Sequence, residues 1–167
     1  TSAGAAAASN NMIYQGSSHE ALLKGEVKIT SGLGLIHNVI VDTHFVQRGR
    51  IGGLFQAVVG NRRVLDIGLG ADTGVLITSD GKMEAIGSGL VILVDGRNIL
   101  DTNLTQVEMG RPISINNLIV HVMSMYDTYD LNKHTMEIHN SQYAKELVIP
   151  IEADDEPKFQ PKPEDLE

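Results

Sequence analysis

The stretch from residue 38 to residue 69 constrains the fold most, because a strand signal, a helix signal and a second strand signal follow one another there. The segment NVIVDTHF (38–45) is an apolar run that ends in polar residues, which predicts a buried strand. A glycine-flanked segment at 46–61 predicts a helix, and VLDIGL (64–69) predicts a second buried strand. Strands that are joined through a helix pair in parallel. The sequence therefore predicts an α/β fold built on a mostly parallel sheet.

The chain after residue 70 predicts antiparallel pairing instead. Asp80-Gly81 lies between two extended runs and is a strong hairpin turn signal. The apolar segments 90–96 and 116–125 predict two more strands. We therefore expect a three-layer α/β sandwich whose mostly parallel sheet carries an antiparallel hairpin at its edge.

Length and charge indicate one folded domain with an acidic tail. With 167 residues and 42% hydrophobic content, we assign 1–150 to a single α/β domain. The Pro-rich segment 151–167 carries −5 of the formal charge of −8, and we predict a mobile tail. A weakly acidic body without basic clusters argues against nucleic acid or an anionic membrane as partner. Because the chain has no Cys, it has no disulfide framework, thiolate nucleophile or Cys-based metal site.

The first residues, TSAGAAAASNN, contain a candidate nucleophile. Ser2 is followed two residues later by Gly4 and then by a run of small, helix-compatible residues. This is the second half of a G-x-S-x-G nucleophile elbow, in which the backbone N–H of Ala3 can stabilise an oxyanion. A serine at a helix start is also an ordinary N-cap, so both interpretations remain open at this point.

The segment VDTHFVQRGR (41–50) contains a candidate base. His44 lies at the C-terminal end of the predicted strand, where an open α/β sheet usually holds its ligand, and two arginines follow it. His44 can alternatively be a buried structural histidine, and the arginines can be solvated. Asp42 and His44 can be two metal ligands, but no third ligand stands at a recognisable spacing, so we predict no metal and no cofactor. We expect the other histidines to be structural or surface residues: His19, His37, His121, His134 and His139.

Three stretches together resemble one known family. TSAGA, VDTHFVQRGR and GLGADTG (68–74) are similar to the cyanophycinase family of serine peptidases, relatives of the dipeptidase E type on a class I glutamine amidotransferase-like fold. The 42 positions from Ser2 to His44 are similar to the spacing between nucleophile and histidine in that family. The resemblance runs from Thr1 to about Asn117, so it covers the C-terminal part of a family member. It implies that residues 1–150 are the C-terminal portion of a single α/β peptidase domain, whose sheet an N-terminal fragment outside this chain completes.

The resemblance implies a function and a site. The family hydrolyses cyanophycin, a poly-aspartate backbone that carries arginine on its β-carboxyls, and releases β-Asp-Arg dipeptides. Ser2 is then the nucleophile and His44 its general base. Four residues would line the substrate pocket: Asp42, Thr43, Arg48 and Arg50. Arginine guanidinium groups can hold the substrate's carboxylates, and Asp42 can hold a guanidinium.

The sequence departs from the family pattern at two positions. The triad acid of the family, a Glu, corresponds to Ala71, and a further basic residue of the family corresponds to Gly53. Asp72 comes one position after Ala71. Because a one-residue shift in a strand turns a side chain to the opposite face, we predict that Asp72 points away from the site.

The chain starts at Thr1 instead of Met, which predicts release from a longer precursor by cleavage or autocleavage before Thr1. An N-terminal threonine can use its own α-amine, with an ordinary pKa of about 7.7–8.0, as the base for its Oγ. That chemistry requires no triad acid. Thr1 is therefore an alternative nucleophile to Ser2.

Three classes of function follow from these observations. The first, which we favour, is a cyanophycinase-like peptidase that acts on β-aspartyl-arginine or related acidic peptides. The second is a protein with a degraded triad that only binds such peptides, and the third is a structural or interaction module. The partners that we expect are the N-terminal fragment of the same precursor, a peptide substrate and a second copy of the two-chain unit. Both a cytoplasmic and a secreted location are compatible with the sequence.

Overall fold

A computed structural model of the chain describes residues 2–16, 22–43 and 51–139. Strands dominate, and the helices are short. The elements in chain order are α1 (Ser2–Ala8), β1 (Asn11–Gln15), β2 (Lys28–Ser31), β3 (Val39–Thr43), α2 (Ile51–Gly60), β4 (Leu65–Leu69), β5 (Thr73–Ile77), β6 (Lys82–Gly87), β7 (Val91–Asp95), β8 (Asp101–Thr102), β9 (Ile115–Asn116), β10 (Ile119–Met123), β11 (Thr128–Asp130) and β12 (Thr135–Glu137). Neither α1 nor α2 is long and apolar enough to cross a membrane.

The central sheet has four strands in the order β10-β7-β4-β3. β3 and β4 are parallel, with Val39 opposite Leu65 and Thr43 opposite Leu69, and α2 lies between them in the chain. Every residue of both strands is buried. The predicted strand–helix–strand unit is therefore confirmed. The other strands of this sheet, β7 and β10, are antiparallel to their neighbours.

The outer sheet has the order β12-β11-β6-β5, and all its neighbouring strands are antiparallel. The predicted hairpin is confirmed: Gly81 turns the chain between β5 and β6 with a φ of 82°, and the Thr78 N–H donates to the Lys82 carbonyl at 2.9 Å. The expectation of a mostly parallel sheet is corrected, because β3 and β4 form the only parallel strand pair among the described residues. Except for the 12 residues between β8 and β9, the connections after β4 are turns of two to five residues. A parallel pair needs a crossover of a dozen or more residues.

Alternate residues of the central sheet pack against different layers, as the two-residue period of a strand requires. One face packs against the outer sheet through an apolar cluster in which Val41 and Ile67 join Met83 and Tyr129. The opposite face packs against α2, which contributes the buried side chains Leu54, Ala57, Val58 and Val59.

Helix α1 ends against the segment 32–36, which satisfies its last carbonyl groups. The Leu33 N–H donates to the Ala7 carbonyl at 2.7 Å, and the Leu35 N–H donates to the Ala8 carbonyl at 2.8 Å. A Cβ at Gly32 would lie 2.0 Å from the Ser9 carbonyl oxygen, so this close approach requires glycine. These bonds supply the partners that a helix C-terminus otherwise lacks, and they hold α1 beside β3.

Candidate functional site

A cavity of about 420 Å³ lies where α1 meets the carboxyl ends of β3 and β4. Helix α1 contributes Ala5 and Ala8, β3 contributes Thr43, and the chain from Leu69 to Val75 forms another wall. The small side chains of α1 leave the space open. This is the end of a parallel strand pair at which open α/β sheets hold their ligands. We call this cavity the carboxyl-end pocket.

One of the predicted site residues lines this pocket: Thr43, the last residue of β3, which is 9% exposed. Helix α1, whose residues Ala5 and Ala8 also line the pocket, begins at Ser2. The carboxylate oxygen Oδ1 of Asp42 accepts a 2.8 Å hydrogen bond from the Thr43 N–H. By strand alternation the Asp42 side chain lies on the face of β3 opposite to Thr43. That Asp42 contacts substrate stays a prediction.

Four predicted site residues lie outside the described residues: Thr1, His44, Arg48 and Arg50. The Ser2 side chain is likewise not described. The roles of all five therefore stay predictions. His44 follows directly after Thr43, so the structure fixes where the chain leaves β3 towards it.

The segment Gly70-Ala71-Asp72 forms one wall of the carboxyl-end pocket. Ala71 presents a methyl group at the position where the resemblance implies the triad acid. Asp72 also contributes to this wall, and it does not lie in a strand, as the argument that it points away assumes. Residues 71 and 72 form a turn between β4 and β5, with Asp72 at a φ of 51°, so the alternation of strand side chains does not apply. Of the described residues around the pocket, Asp72 alone has an ionisable side chain.

Hydrogen bonds from the connection between β6 and β7 hold this wall in place. The Ser88 N–H donates to the Asp72 carbonyl at 3.1 Å, and the Gly70 N–H donates to the Leu90 carbonyl at 3.0 Å. The Thr73 hydroxyl donates to the Ala71 carbonyl at 2.8 Å. The backbone of the turn is therefore fixed on both sides of Asp72.

Asp66 is a buried acid that the sequence reasoning missed. It is 0% exposed in the middle of β4, opposite Ile40 of β3 and Val94 of β7. Neither oxygen of its carboxyl group has a hydrogen-bond partner in the described structure. Burial, and next the charge of Asp42, raise the pKa of Asp66 well above its usual range. A single acid within the apolar run VLDIGL was the signal that could have revealed it.

Replacing Asp66 with Val is expected to stabilise the fold at pH 7 by about 1–3 kcal/mol, because it removes two buried oxygens without partners. The sign of the pH dependence follows from the raised pKa. The neutral acid stabilises the native state below the unfolded-state value of about 3.9, and stability falls as the pH rises from there through the folded-state pKa. Denaturant unfolding at pH 5 and pH 7.5 measures the change, and the free energy of unfolding should decrease less between these pH values in the variant than in the wild type.

Asp95 provides the matched control for this experiment. It is also buried, at 3% exposed, but it forms an ion pair with Arg97, whose Nε donates to Oδ1 at 2.9 Å. Asp95→Val should therefore destabilise the protein, since it leaves Arg97 without its partner. An Asp66→Val protein that is less stable than the wild type at pH 7 would contradict the argument.

No three His, Asp or Glu side chains come together as a possible metal site within residues 2–16, 22–43 and 51–139.

The chain matches no protein-family model, but it is similar to several curated proteins. It is 37% identical over 137 residues to a cyanophycinase of Synechococcus elongatus, which is 82% of this chain and 42% of that protein. It is 38% identical over 136 residues to a cyanophycinase of Trichormus variabilis, which is 81% of this chain and 46% of that protein. A cyanophycinase of Geminocystis herdmanii is 38% identical over 134 residues, 80% of this chain and 49% of that protein. The chain thus spans less than half the length of these relatives.

Proposed function

Since the chain belongs over its matched residues to the cyanophycinase family, we propose that it carries the catalytic residues of a serine-type peptidase that hydrolyses cyanophycin or related β-aspartyl-arginine peptides. The observation that supports this most is the carboxyl-end pocket. It lies beside the helix that begins at Ser2, and Thr43 in its wall is followed directly by His44.

In the proposed reaction, the Oγ of Ser2 attacks the carbonyl carbon of the scissile amide while His44 takes the hydroxyl proton. The backbone N–H of Ala3 donates to the oxyanion of the tetrahedral intermediate. The C–N bond then breaks, and His44 returns the proton to the leaving amine. Water, activated by the same histidine, hydrolyses the acyl-enzyme and frees Ser2.

We assign Asp72 the role of orienting His44 in place of the acid that Ala71 has replaced. Both residues belong to the same turn in the pocket wall, and Asp72 is the ionisable group there. Ala71 also supports the second candidate function, in which the triad is degraded and the protein binds the peptide without hydrolysing it. The Thr1 mechanism is a third route, since its α-amine needs no acid.

The remaining parts of the proposal concern assembly. The relatives are about twice as long as the matched part, and β3 lies at one end of the described central sheet. We propose that a further part of the protein, corresponding to the rest of these relatives, adds strands beside β3. These strands would complete a three-layer sandwich, and two such units would form the homodimer.

The test is an incubation of the purified protein, with any fragment that copurifies, with cyanophycin. We expect release of β-Asp-Arg dipeptides, and we expect Asp72→Asn to bind the polymer normally but to hydrolyse it at least ~100-fold more slowly. Binding without turnover by the wild type would establish the second candidate function. Neither binding nor turnover would refute both.

Replacing Arg48 or Arg50 with Ala is expected to raise KM for an acidic peptide by roughly 10-fold or more. A hydrogen bond to a charged group contributes about 1.5–3 kcal/mol, and its loss weakens binding in the ground state and the transition state alike. Steady-state kinetics measure the change. Arg62→Ala serves as the control, because Arg62 is exposed on the turn after α2. Unchanged kinetics in both variants would place the two arginines on a solvated surface.

A further inference from the structure

A second cavity, of about 260 Å³, lies at the opposite end of the parallel strand pair. Val39 and Leu65, the first residues of β3 and β4, contribute to its wall, and the turns of the outer sheet contribute Gly81 and Asn132. The strands are five residues long, so at a rise of about 3.3 Å per residue this cavity lies about 13 Å from the carboxyl-end pocket. We call it the amino-end cavity.

Basic side chains line the amino-end cavity. They come from four separate parts of the chain: His37, Arg63, Arg97 and His134. Arg97 is held by Asp95, because its Nε donates to Oδ1 at 2.9 Å and to Oδ2 at 3.1 Å. Arg63 is exposed and has no ion-pair partner among the described residues. Its positive charge is therefore available to a ligand.

Polar atoms without partners lie at the same end of the sheet. The Nδ1 atom of His134 and the hydroxyl of Tyr129 are buried, and neither has a hydrogen-bond partner in the described structure. The two rings are neighbours, with centroids 6.5 Å apart. Burial lowers the pKa of His134, as does Arg97, and burial raises the pKa of Tyr129. At neutral pH His134 is therefore uncharged with one ring N–H, and Tyr129 keeps its O–H.

We propose that the amino-end cavity binds a small oxyanion, a carboxylate or a phosphate group, and that Arg63 is the main residue that binds it. The planar fork of a guanidinium group matches both oxyanions through paired hydrogen bonds. Arg97 is fixed in the wall by its ion pair with Asp95, and the neutral imidazole of His134 supplies a donor. The volume accommodates ligands from inorganic phosphate up to an amino acid. This site is separate from the carboxyl-end pocket, so the inference does not rest on the proposed peptidase activity.

The test is calorimetric titration of the purified protein with inorganic phosphate and, separately, with aspartate at constant ionic strength. We expect saturable binding of at least one probe, and the tighter one identifies which oxyanion the site prefers. Arg63→Gln should weaken that binding by roughly 10-fold or more, the loss expected for a hydrogen bond to a charged group.

Arg62→Gln is the matched control, because it removes the same charge at the residue next to Arg63. The Arg62 side chain donates instead to the Ile99 carbonyl, at 3.3 Å. The affinity of the Arg62→Gln variant for the probe should stay within about 2-fold of the wild-type affinity, as expected if only long-range attraction changes. Two results would overturn the proposal: no saturable binding of either probe, or equal weakening in the two variants. Circular dichroism confirms that both variants are folded.

Discussion

Replacing Ser2 with Ala is expected to lower the rate of peptide hydrolysis roughly 10³- to 10⁶-fold, because the change removes the attacking oxygen. His44→Ala should cost nearly as much, since nucleophile and base act as one unit and losing either disables both. The measurement is the steady-state release of dipeptide from cyanophycin by each purified variant. Binding of the polymer should persist in both, because neither change removes a residue proposed to hold the substrate's charges.

Thr1→Ala is the discriminating control for that experiment. If Ser2 is the nucleophile, Thr1→Ala should only weaken hydrolysis. If Thr1 is the nucleophile, Thr1→Ala should block both precursor cleavage and hydrolysis, because the same Oγ performs both attacks. A Ser2→Ala protein with nearly wild-type turnover, or a covalent inhibitor adduct mapped to Thr1, would contradict the assignment to Ser2.

Gly87→Ala is expected to destabilise the protein by roughly 2–5 kcal/mol, and to lower activity as well. Gly87 has a φ of 95°, in the left-handed region where a side chain costs about 1–2 kcal/mol. Its added Cβ would also lie 2.1 Å from the Asp72 carbonyl oxygen and 3.0 Å from the Asp72 carbonyl carbon. Overpacking of this kind costs about 1–3 kcal/mol more, and it displaces the turn that carries Asp72. Denaturant unfolding measures the loss.

Gly110→Ala separates the two causes. Gly110 has a similar φ of 76°, but no atom lies within 4 Å of an added Cβ. This variant should therefore lose only about 1–2 kcal/mol, the cost of the backbone conformation. Equal losses of stability in the two variants would show that the contact between residue 87 and the Asp72 carbonyl group adds nothing to the cost.

Much of the fold could be predicted from short segments of sequence. The strand predicted at 38–45 corresponds to β3, the one at 64–69 to β4, and the helix predicted at 46–61 contains α2. The turn at Asp80-Gly81 was also predicted, because Gly at positive φ gives a local signal. The strands β11 and β12 were missed. Each is only three residues long, too short for an alternating pattern to stand out.

The sequence by itself determined the strand–helix–strand order, the hairpin turn and the motifs around Ser2 and His44, because each depends on residues close together in the chain. The tertiary structure alone decided that Asp72 lines the carboxyl-end pocket and that Asp66 is buried without a partner. It also decided that Arg63, Arg97 and His134 meet at the amino-end cavity. These outcomes depend on the conformation of one turn and on which strands pair in which register, and residues far apart in sequence fix both.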